Sequence, residues 1–377
     1  MGGREGRMAG IDLPTTPGAR SWLMPILQRA IERTASDVHL TVGLPPIFRI
    51  DGELLATSEA PLRSQDAQDL IYEVLTQGQR EEFEREWQLC VSLFFPDVGH
   101  FRVTVYYHQG NVEAAIRVCP LSLRSPQELG LPDVVEKLVE KRSGLILITG
   151  PTGSGKTTTF NCLLDMINRR RRSKIVTVED PVEFVHENRL SIIVQQQVHA
   201  DTRSFRQALV HILRQDPDVI GIGEMRDLET IATALTAAET GHLVLATLHT
   251  PDAAQTVDRI VDAFPGAEQP QILTQLASCL QGIIAQQLLP RVDREGRVLA
   301  TEVLLANPAI RSQIRERKTS QLRSTIEMGR ADGMHTMDRR LRDLYQQGIV
   351  TYDTAISHAM YPETIQVAVG ANGAAKA

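Results

Sequence analysis

The stretch LILITGPTGSGKTTTF, residues 145–160, constrains the fold of its surroundings more than any other part of the chain. A strand-length apolar run leads into Gly150, Pro151, Thr152, Gly153, Ser154, Gly155, Lys156 and Thr157, which together satisfy G-x-x-x-x-G-K-[ST]. Thr158 then continues into a helix-forming sequence. The spacing has a physical use only where strand, loop and helix follow one another. The glycines let backbone N–H groups close around phosphate oxygens, and the helix N-terminus adds a partial positive charge. In such a loop Lys156 meets the terminal phosphates of a nucleotide, and the Thr157 hydroxyl reaches Mg²⁺. Residues 150–158 are therefore the expected nucleotide-binding segment.

Strand and helix patterns alternate downstream. KIVTVED and LSIIVQQQV read as strands, and SFRQALVHILRQ as a helix with Phe205, Leu209, Ile212 and Leu213 at helical spacing. DVIGIGE is a strand, DLETIATALTAAET a helix stopped by Gly241, and HLVLATLHT another strand. Short apolar strands with helices between them predict an α/β fold with a largely parallel sheet and ligand sites at the strands' carboxyl ends. From about residue 270 the pattern predicts a mainly helical region.

Acids fall where such a site would use them. Glu224 ends the DVIGIGE strand, suited to hold Mg²⁺ or an attacking water opposite Lys156. Glu179, Asp180 and Glu183 follow KIVTV, where a carboxylate can align or deprotonate water. His242 opens the HLVLATLHT strand and His249 closes it. A histidine there serves either as a hydrogen-bonded structural residue or as a sensor of the terminal phosphate, and spacing alone does not choose.

Upstream, WLMPILQRAIERTASDVHLTVGLPPIFRIDGELL predicts a helix with Leu23, Ile26, Leu27, Ala30 and Ile31 on one face. A strand with Val38, Leu40 and Val42 follows, GLPP turns the chain, and Asp51-Gly52 marks a hairpin. SQDAQDLIYEVLTQGQREEFEREW predicts a helix with Ser64 as its N-cap. CVSLFFPDVGHFRVTVYYHQGNVEAAIRVCP predicts strands with two breaks. Residues 19–120 thus form a small α+β domain, the proline-bearing 121–133 a linker, and 134–365 the nucleotide-binding domain with C-terminal helices. The ends, 1–18 and 366–377, read as loose tails.

A net charge of −6 argues against a nucleic-acid partner, which favours a basic face. The one strong basic run, RRRRSK at 169–174, falls at a helix end, where cations complement the helix dipole. Cys90, Cys119, Cys162 and Cys279 are scattered without a C-x-x-C pair. Buried apolar thiols in a reducing compartment are expected, rather than a zinc site or a disulfide framework. No uncharged apolar stretch reaches the roughly 18 residues of a membrane span, and MGGREGRMAG lacks an apolar signal core. A cytoplasmic protein is expected, touching membrane machinery from the side.

Taken in order, GPTGSGKTTT, VEDPVEF, GEMRDLETI and TGHLVLATLHT resemble the nucleotide boxes of secretion ATPases of the PilT/VirB11 type. ASDVHLTVGLPPIFRIDGEL and AIRSQIRE point within that family to the type IV pilus retraction motors. The likeness runs from about residue 20 to about residue 355. It implies a PAS-like N-terminal domain, a RecA-like C-terminal domain, and a homo-hexameric ring with ATP between protomers. By position it implies Lys156 and Thr157 for phosphate and Mg²⁺, Glu183 as catalytic base and Glu224 as magnesium or water partner. His249 is implied to couple the nucleotide to its surroundings. Arg102 in HFRVTVYY and Arg117 in AAIRVCP are implied to reach the γ-phosphate, where such fingers contribute about 10³–10⁵ in rate. Family members carry further arginines where His100 stands and in the YYHQGNV segment; this chain has neither, which implies a reduced finger set. Gly221 and Gly223 interrupt the strand before Glu224, implying less packed bulk there.

ANPAIRSQIRERK predicts a surface helix with Asn307 as N-cap, Pro308 in the first turn, an Ile310–Ile314 stripe and an Arg311–Arg315 stripe. Its likeness to the retraction signature, and the lack of the tetracysteine zinc site of extension relatives, imply retraction. The implied function is a hexameric, ATP-hydrolysing motor that drives pilus disassembly by domain rotation against an inner-membrane platform protein. Three alternatives stay open: an extension or type II secretion ATPase, a nucleic-acid translocase, and a non-hydrolysing nucleotide-gated scaffold.

Overall fold

In the computed structural model, which describes residues 22–50, 52–95, 98–119 and 123–365, the chain divides between Cys119 and Pro120 into two compact units. The tails expected at 1–18 and 366–377 lie outside the described residues. The first unit opens with α1 (Leu23–Glu32), which buries Leu23, Ile26, Leu27 and Ala30, as helical spacing requires. There follow β1 (Asp37–Leu40), β2 (Ile47–Ile50), β3 (Glu53–Ala56), α2 (Ser64–Glu73), α3 (Gln77–Glu86), β4 (Gln88–Phe95), β5 (Gly99–His108) and β6 (Asn111–Cys119). The strands form one antiparallel sheet in the order β3-β2-β1-β6-β5-β4. Its core face carries Phe101, Val103, Val105, Ala114 and Ile116, all buried.

Four local readings change here. The helix expected from residue 64 is two helices, because Thr76 starts a second one. Its side chain accepts from Gln79 N at 3.3 Å, and its N–H donates to Gln79 Oε1 at 2.9 Å, a reciprocal cap. Ser64 is the first helical residue rather than the cap, and the N–H of Arg63 donates to Asp66 at 3.1 Å. The strand around Val38 stops at Leu40, before Val42. At the hairpin, β2 and β3 pair with Ile50 opposite Glu53, and Gly52 takes φ +91°; Asp51 lies outside the described residues. Cys90 is exposed, whereas the other three cysteines are buried as expected.

In the second unit, the stretch read as a linker carries α4 (Pro126–Leu129), capped by Ser125 and Glu128, and is followed by α5 (Val134–Val139). The sheet is built from β7 (Gly144–Thr149), β8 (Lys174–Glu179), β9 (Ile192–Gln197), β10 (Val219–Ile222), β11 (Leu243–Leu248), β12 (Leu280–Pro290) and β13 (Arg297–Leu305). The intervening helices are α6 (Lys156–Arg170), α7 (Phe205–Ile212), α8 (Leu228–Glu239), α9 (Ala253–Asp262) and α10 (Gln269–Cys279). After β13 come α11 (Pro308–Arg315), α12 (Leu322–Met328), α13 (Met337–Gln346) and α14 (Tyr352–His358). Strand order is β13-β12-β7-β11-β10-β8-β9, parallel from β12 to β9 with β13 antiparallel at one edge.

Both faces are covered. Along β7, Leu145 and Leu147 enter one core while Ile146 and Ile148 enter the other, which explains the uninterrupted apolar run. The region beyond 270 is helical at both ends, but the eleven-residue β12 and nine-residue β13 lie between and extend the sheet. The expected loss of bulk at Gly221 is reversed. A Cβ there would meet Phe160 Cζ at 2.9 Å and Thr177 Cγ2 at 2.8 Å, so neighbouring side chains already fill the space.

Candidate active site

The phosphate loop runs from the end of β7 to the start of α6. Gly150, Gly153 and Gly155 have φ of +141°, +79° and +86°, values an L side chain rarely adopts. A Cβ on Gly150 would stand 2.3 Å from the carbonyl oxygen of Gln286, so β12 presses directly on the loop. Gln286, fully buried, also donates from Nε2 to the Ser154 carbonyl at 2.9 Å. The sequence reading missed this support, although a polar residue inside the apolar run GIIAQQLL was its signal. Pro151, Thr152 and Gly153 are exposed on the loop, Ser154 is buried, and Thr157 is half-buried in the first turn of α6.

Lys156 is 8% exposed and donates to the carbonyls of Gly150 and Pro151, each at 2.9 Å. Burial lowers its pKa, and the nearby Glu224 carboxylate partly offsets this. Its Nζ also stands 3.4 Å from Nδ1 of His249, whose Nε2 is 3.1 Å from Glu224 Oε1. An ammonium has only protons to offer, so Nδ1 accepts and Nε2–H donates to the carboxylate; this network assigns the tautomer. The result is a directed chain, Lys156 to His249 to Glu224. Glu224 Oε2 takes a further ion pair from Arg226 at 2.7 Å. Burial opposes ionisation of Glu224, but Arg226 and His249 outweigh it and hold the carboxyl below its ordinary range. Its backbone is fixed from both sides: Gly223 N bonds Val178 O at 2.8 Å, and Met225 N bonds Thr247 O at 3.0 Å. His242, at the other end of β11, faces the Ala237 carbonyl at 3.0 Å at the end of α8.

A second acidic element follows β8. Glu183 and Phe184 line a cleft of ≈470 Å³ together with Thr157, Thr158, Asn161 and Leu288. Glu183 is therefore placed on the same cleft as the start of α6. Glu179 is not on it. That residue is buried, and burial pushes its carboxyl up to about 7, with Thr177 and Gln195 hydrogen bonds resisting and Glu183 reinforcing the rise. Asp180 is exposed.

In the first unit, Arg102 and Arg117 are directly opposed cross-strand partners on β5 and β6. Arg117 is exposed and pairs with Asp37 at 3.1 Å. Arg102 is half-buried and its Nε donates to Cys90 Sγ at 3.4 Å. His100 is buried and bonded to Ser92. In the second unit α11 starts as expected, with Asn307 accepting from Ile310 N at 2.9 Å and Ile310 and Ile314 fully buried. Arg311 departs from a solvated stripe: its guanidinium donates to the carbonyls of Ala277 and Ser278 at the end of α10, at 2.5 and 2.6 Å. The basic run at 169–174 engages its own chain, with Arg169 on Asp165 at 2.6 Å and Arg170 on Glu136 at 3.0 Å.

Comparison with known proteins agrees with this arrangement. The family of type II/IV secretion system proteins matches residues 17–362. The chain is 42% identical over 338 residues to the type IV pilus retractation ATPase PilT of Pseudomonas aeruginosa, covering 90% of this chain and 98% of that protein. It is 39% identical over 343 residues to a twitching motility protein of Neisseria gonorrhoeae, covering 91% and 92%. A crystal structure of the pilus retraction motor PilT with bound ADP superposes with a TM-score of 0.86 at 45% identity, covering 92% of this chain and 99% of that one. With the sheet, the phosphate loop and the matched length in agreement, the chain belongs to the type II/IV secretion system protein family.

Proposed function

We propose that this chain is the ATPase that powers retraction of a type IV pilus. The observation that carries the reading is the contact chain from Lys156 through His249 to Glu224 at the mouth of a phosphate loop, in a chain matching PilT over 98% of that protein's length. A nucleotide's phosphates are taken by the loop N–H groups and by Lys156, which turns from the Gly150 and Pro151 carbonyls to the terminal phosphates. Glu183 accepts the proton of the attacking water. Glu224 fixes that water's position, and His249 reports on the charge beside it.

Among the described residues no three His, Cys, Asp or Glu gather in a metal cage. A hydroxyl and one carboxylate suit a hard cation that keeps waters and phosphate oxygens, so Thr157 and Glu224 would hold Mg²⁺, which would supply positive charge against the transferred phosphoryl group. The nucleoside end is assigned to the cleft beside Thr158, where Leu288 and Leu299 offer an apolar wall.

The working form is a homo-hexamer in which Arg102 and Arg117 of a neighbour's first unit meet the γ-phosphate; their cross-strand pairing puts both on one strand-pair position. Loss of that bridge after hydrolysis lets the units rotate, and the motion passes to a platform protein at the inner membrane. No helix among the described residues is long and apolar enough to cross a membrane, in keeping with a peripheral role. The net charge of −6 gives no support to a nucleic-acid track.

Phosphate release from the purified chain, with and without duplex DNA, tests the class. Turnover indifferent to DNA is expected; stimulation by DNA would mark a translocase, and no turnover a scaffold. Deleting the gene tests direction: pili should still form but fail to shorten, whereas loss of pili would assign extension.

A further inference from the structure

The loop that carries Glu183 lies between β8 and β9, and side chains of β9 and α6 hydrogen-bond to it. Gln195 on β9 spends its whole amide on this loop and its root. Its Nε2 donates to the Phe184 carbonyl at 2.8 Å and to Glu179 Oε1 at 3.1 Å, and its Oε1 accepts from His186 N at 2.8 Å. The two loop bonds fall just after Glu183, one on the next residue and one three positions on. Gln197, on the same face of the same strand, accepts from Val182 N at 3.2 Å, on the residue before it.

On the opposite side the loop is tied to the nucleotide helix. His186 is 8% exposed, and its Nε2 is 2.8 Å from Asn161 Oδ1. Asn161 spends its Nδ2 on the Thr157 carbonyl at 2.9 Å, so its oxygen accepts and His186 carries the proton on Nε2. Burial pushes the His186 pKa down to about 4, in keeping with a neutral ring. An unbroken run of bonds therefore leads from Thr157 through Asn161 and His186 to Gln195. Glu183 sits inside the span that it closes.

The geometry points to Gln195, with His186 and Asn161, as positioning residues that set Glu183 against the start of the nucleotide helix. None of the three is needed to touch the reacting atoms. Their task is to hold a loop carboxylate at a fixed reach from the phosphate cradle, where a displacement of about 1 Å costs up to about 100-fold in rate. The inference rests on the reading of Glu183 as the base.

The test uses the full chain with steady-state ATP hydrolysis and titration of a fluorescent ATP analogue. Gln195→Met keeps the side chain's length and removes all three bonds. It should lower kcat about 10- to 100-fold while KM and analogue affinity stay within about twofold. Glu183→Gln should be slow by itself, and adding Gln195→Met to it should cost nothing more, because the glutamine acts only through Glu183. A wild-type kcat in Gln195→Met beside a slow Glu183→Gln overturns the positioning role and leaves the base intact. Independent, multiplying losses in the double variant overturn it too. A wild-type rate in Glu183→Gln removes the base reading and the inference with it. If Gln195→Met does not fold, Gln195→Asn, one methylene too short to span the loop, carries the same readout: the same kcat loss at unchanged KM is expected, and a wild-type kcat overturns the role.

Discussion

His249 Nε2 stands 3.1 Å from Glu224 Oε1, at the carboxyl ends of two adjacent parallel strands, β11 and β10. The other ring nitrogen faces Lys156, so one imidazole joins the phosphate loop's cation to the acid opposite it. Neither end can move without disturbing the other. If the chain works as a relay, Glu224→Ala and His249→Ala should each lower kcat, Glu224→Ala by about 10²–10³. The double variant should lose less than the product of the two. Steady-state rates of the three variants measure this, and strictly multiplicative losses would separate the two residues. Glu224→Ala should still bind ATP.

Lys156→Ala should abolish tight nucleotide binding. Two or more charge-assisted hydrogen bonds, each about 1.5–3 kcal/mol, imply a loss of at least about 100-fold in affinity. Equilibrium titration with a fluorescent ATP analogue reads it, and an affinity within about tenfold of wild type would place the phosphates elsewhere.

Gly221→Ala tests why the strand before Glu224 carries glycine. The added methyl would meet Phe160 Cζ and Thr177 Cγ2 below 3.0 Å, so the variant should lose about 1–3 kcal/mol in denaturant unfolding. Phe160→Leu in the same chain should recover part of that loss by making room. Unchanged stability in Gly221→Ala would show that the contact relaxes freely.

Glu179 gives a pH dependence with a definite sign. Its carboxyl, ordinarily at 4.5, is raised by burial to about 7, so between those values the folded chain holds a proton that the unfolded chain has released. The stability this group contributes is complete below 4.5 and disappears as pH climbs through about 7. Glu179→Gln cannot ionise. Its stability relative to wild type should therefore rise between pH 5 and pH 8, by up to about 3 kcal/mol, in urea unfolding at the two pH values. A difference that does not change with pH would contradict the buried, raised carboxyl.

Much of the fold and part of the site were legible in the residues because their causes are local. The glycines at 150, 153 and 155, the lysine after them and the apolar run before them act over a dozen positions, and the strand–loop–helix unit follows directly. The alternation that follows predicts a parallel sheet, as found, with acids at the carboxyl ends of its strands. Helix α11 likewise reads off from Asn307, Pro308 and its two isoleucines. Where local signals compete, the reading slips: Thr76 and Gln79 cap a new helix inside a stretch that looks continuous, and β12 has helical neighbours on one side and an apolar run compatible with either state.

The sequence by itself determined the phosphate-loop motif with its strand and helix, the alternation of short apolar strands with helices, and which acids are candidates for chemistry. Tertiary structure alone decided that Gln286 braces the loop from β12, that His249 lies between Lys156 and Glu224, that Glu183 shares a cleft with Thr157, and that Gln195 and His186 hold the loop between them. Those partners are separated by up to 132 positions and meet only because β12 and β11 flank β7, and because β9 pairs with β8. Strand order is a property of the whole sheet, set by how every apolar face is covered at once, and no local spacing encodes it.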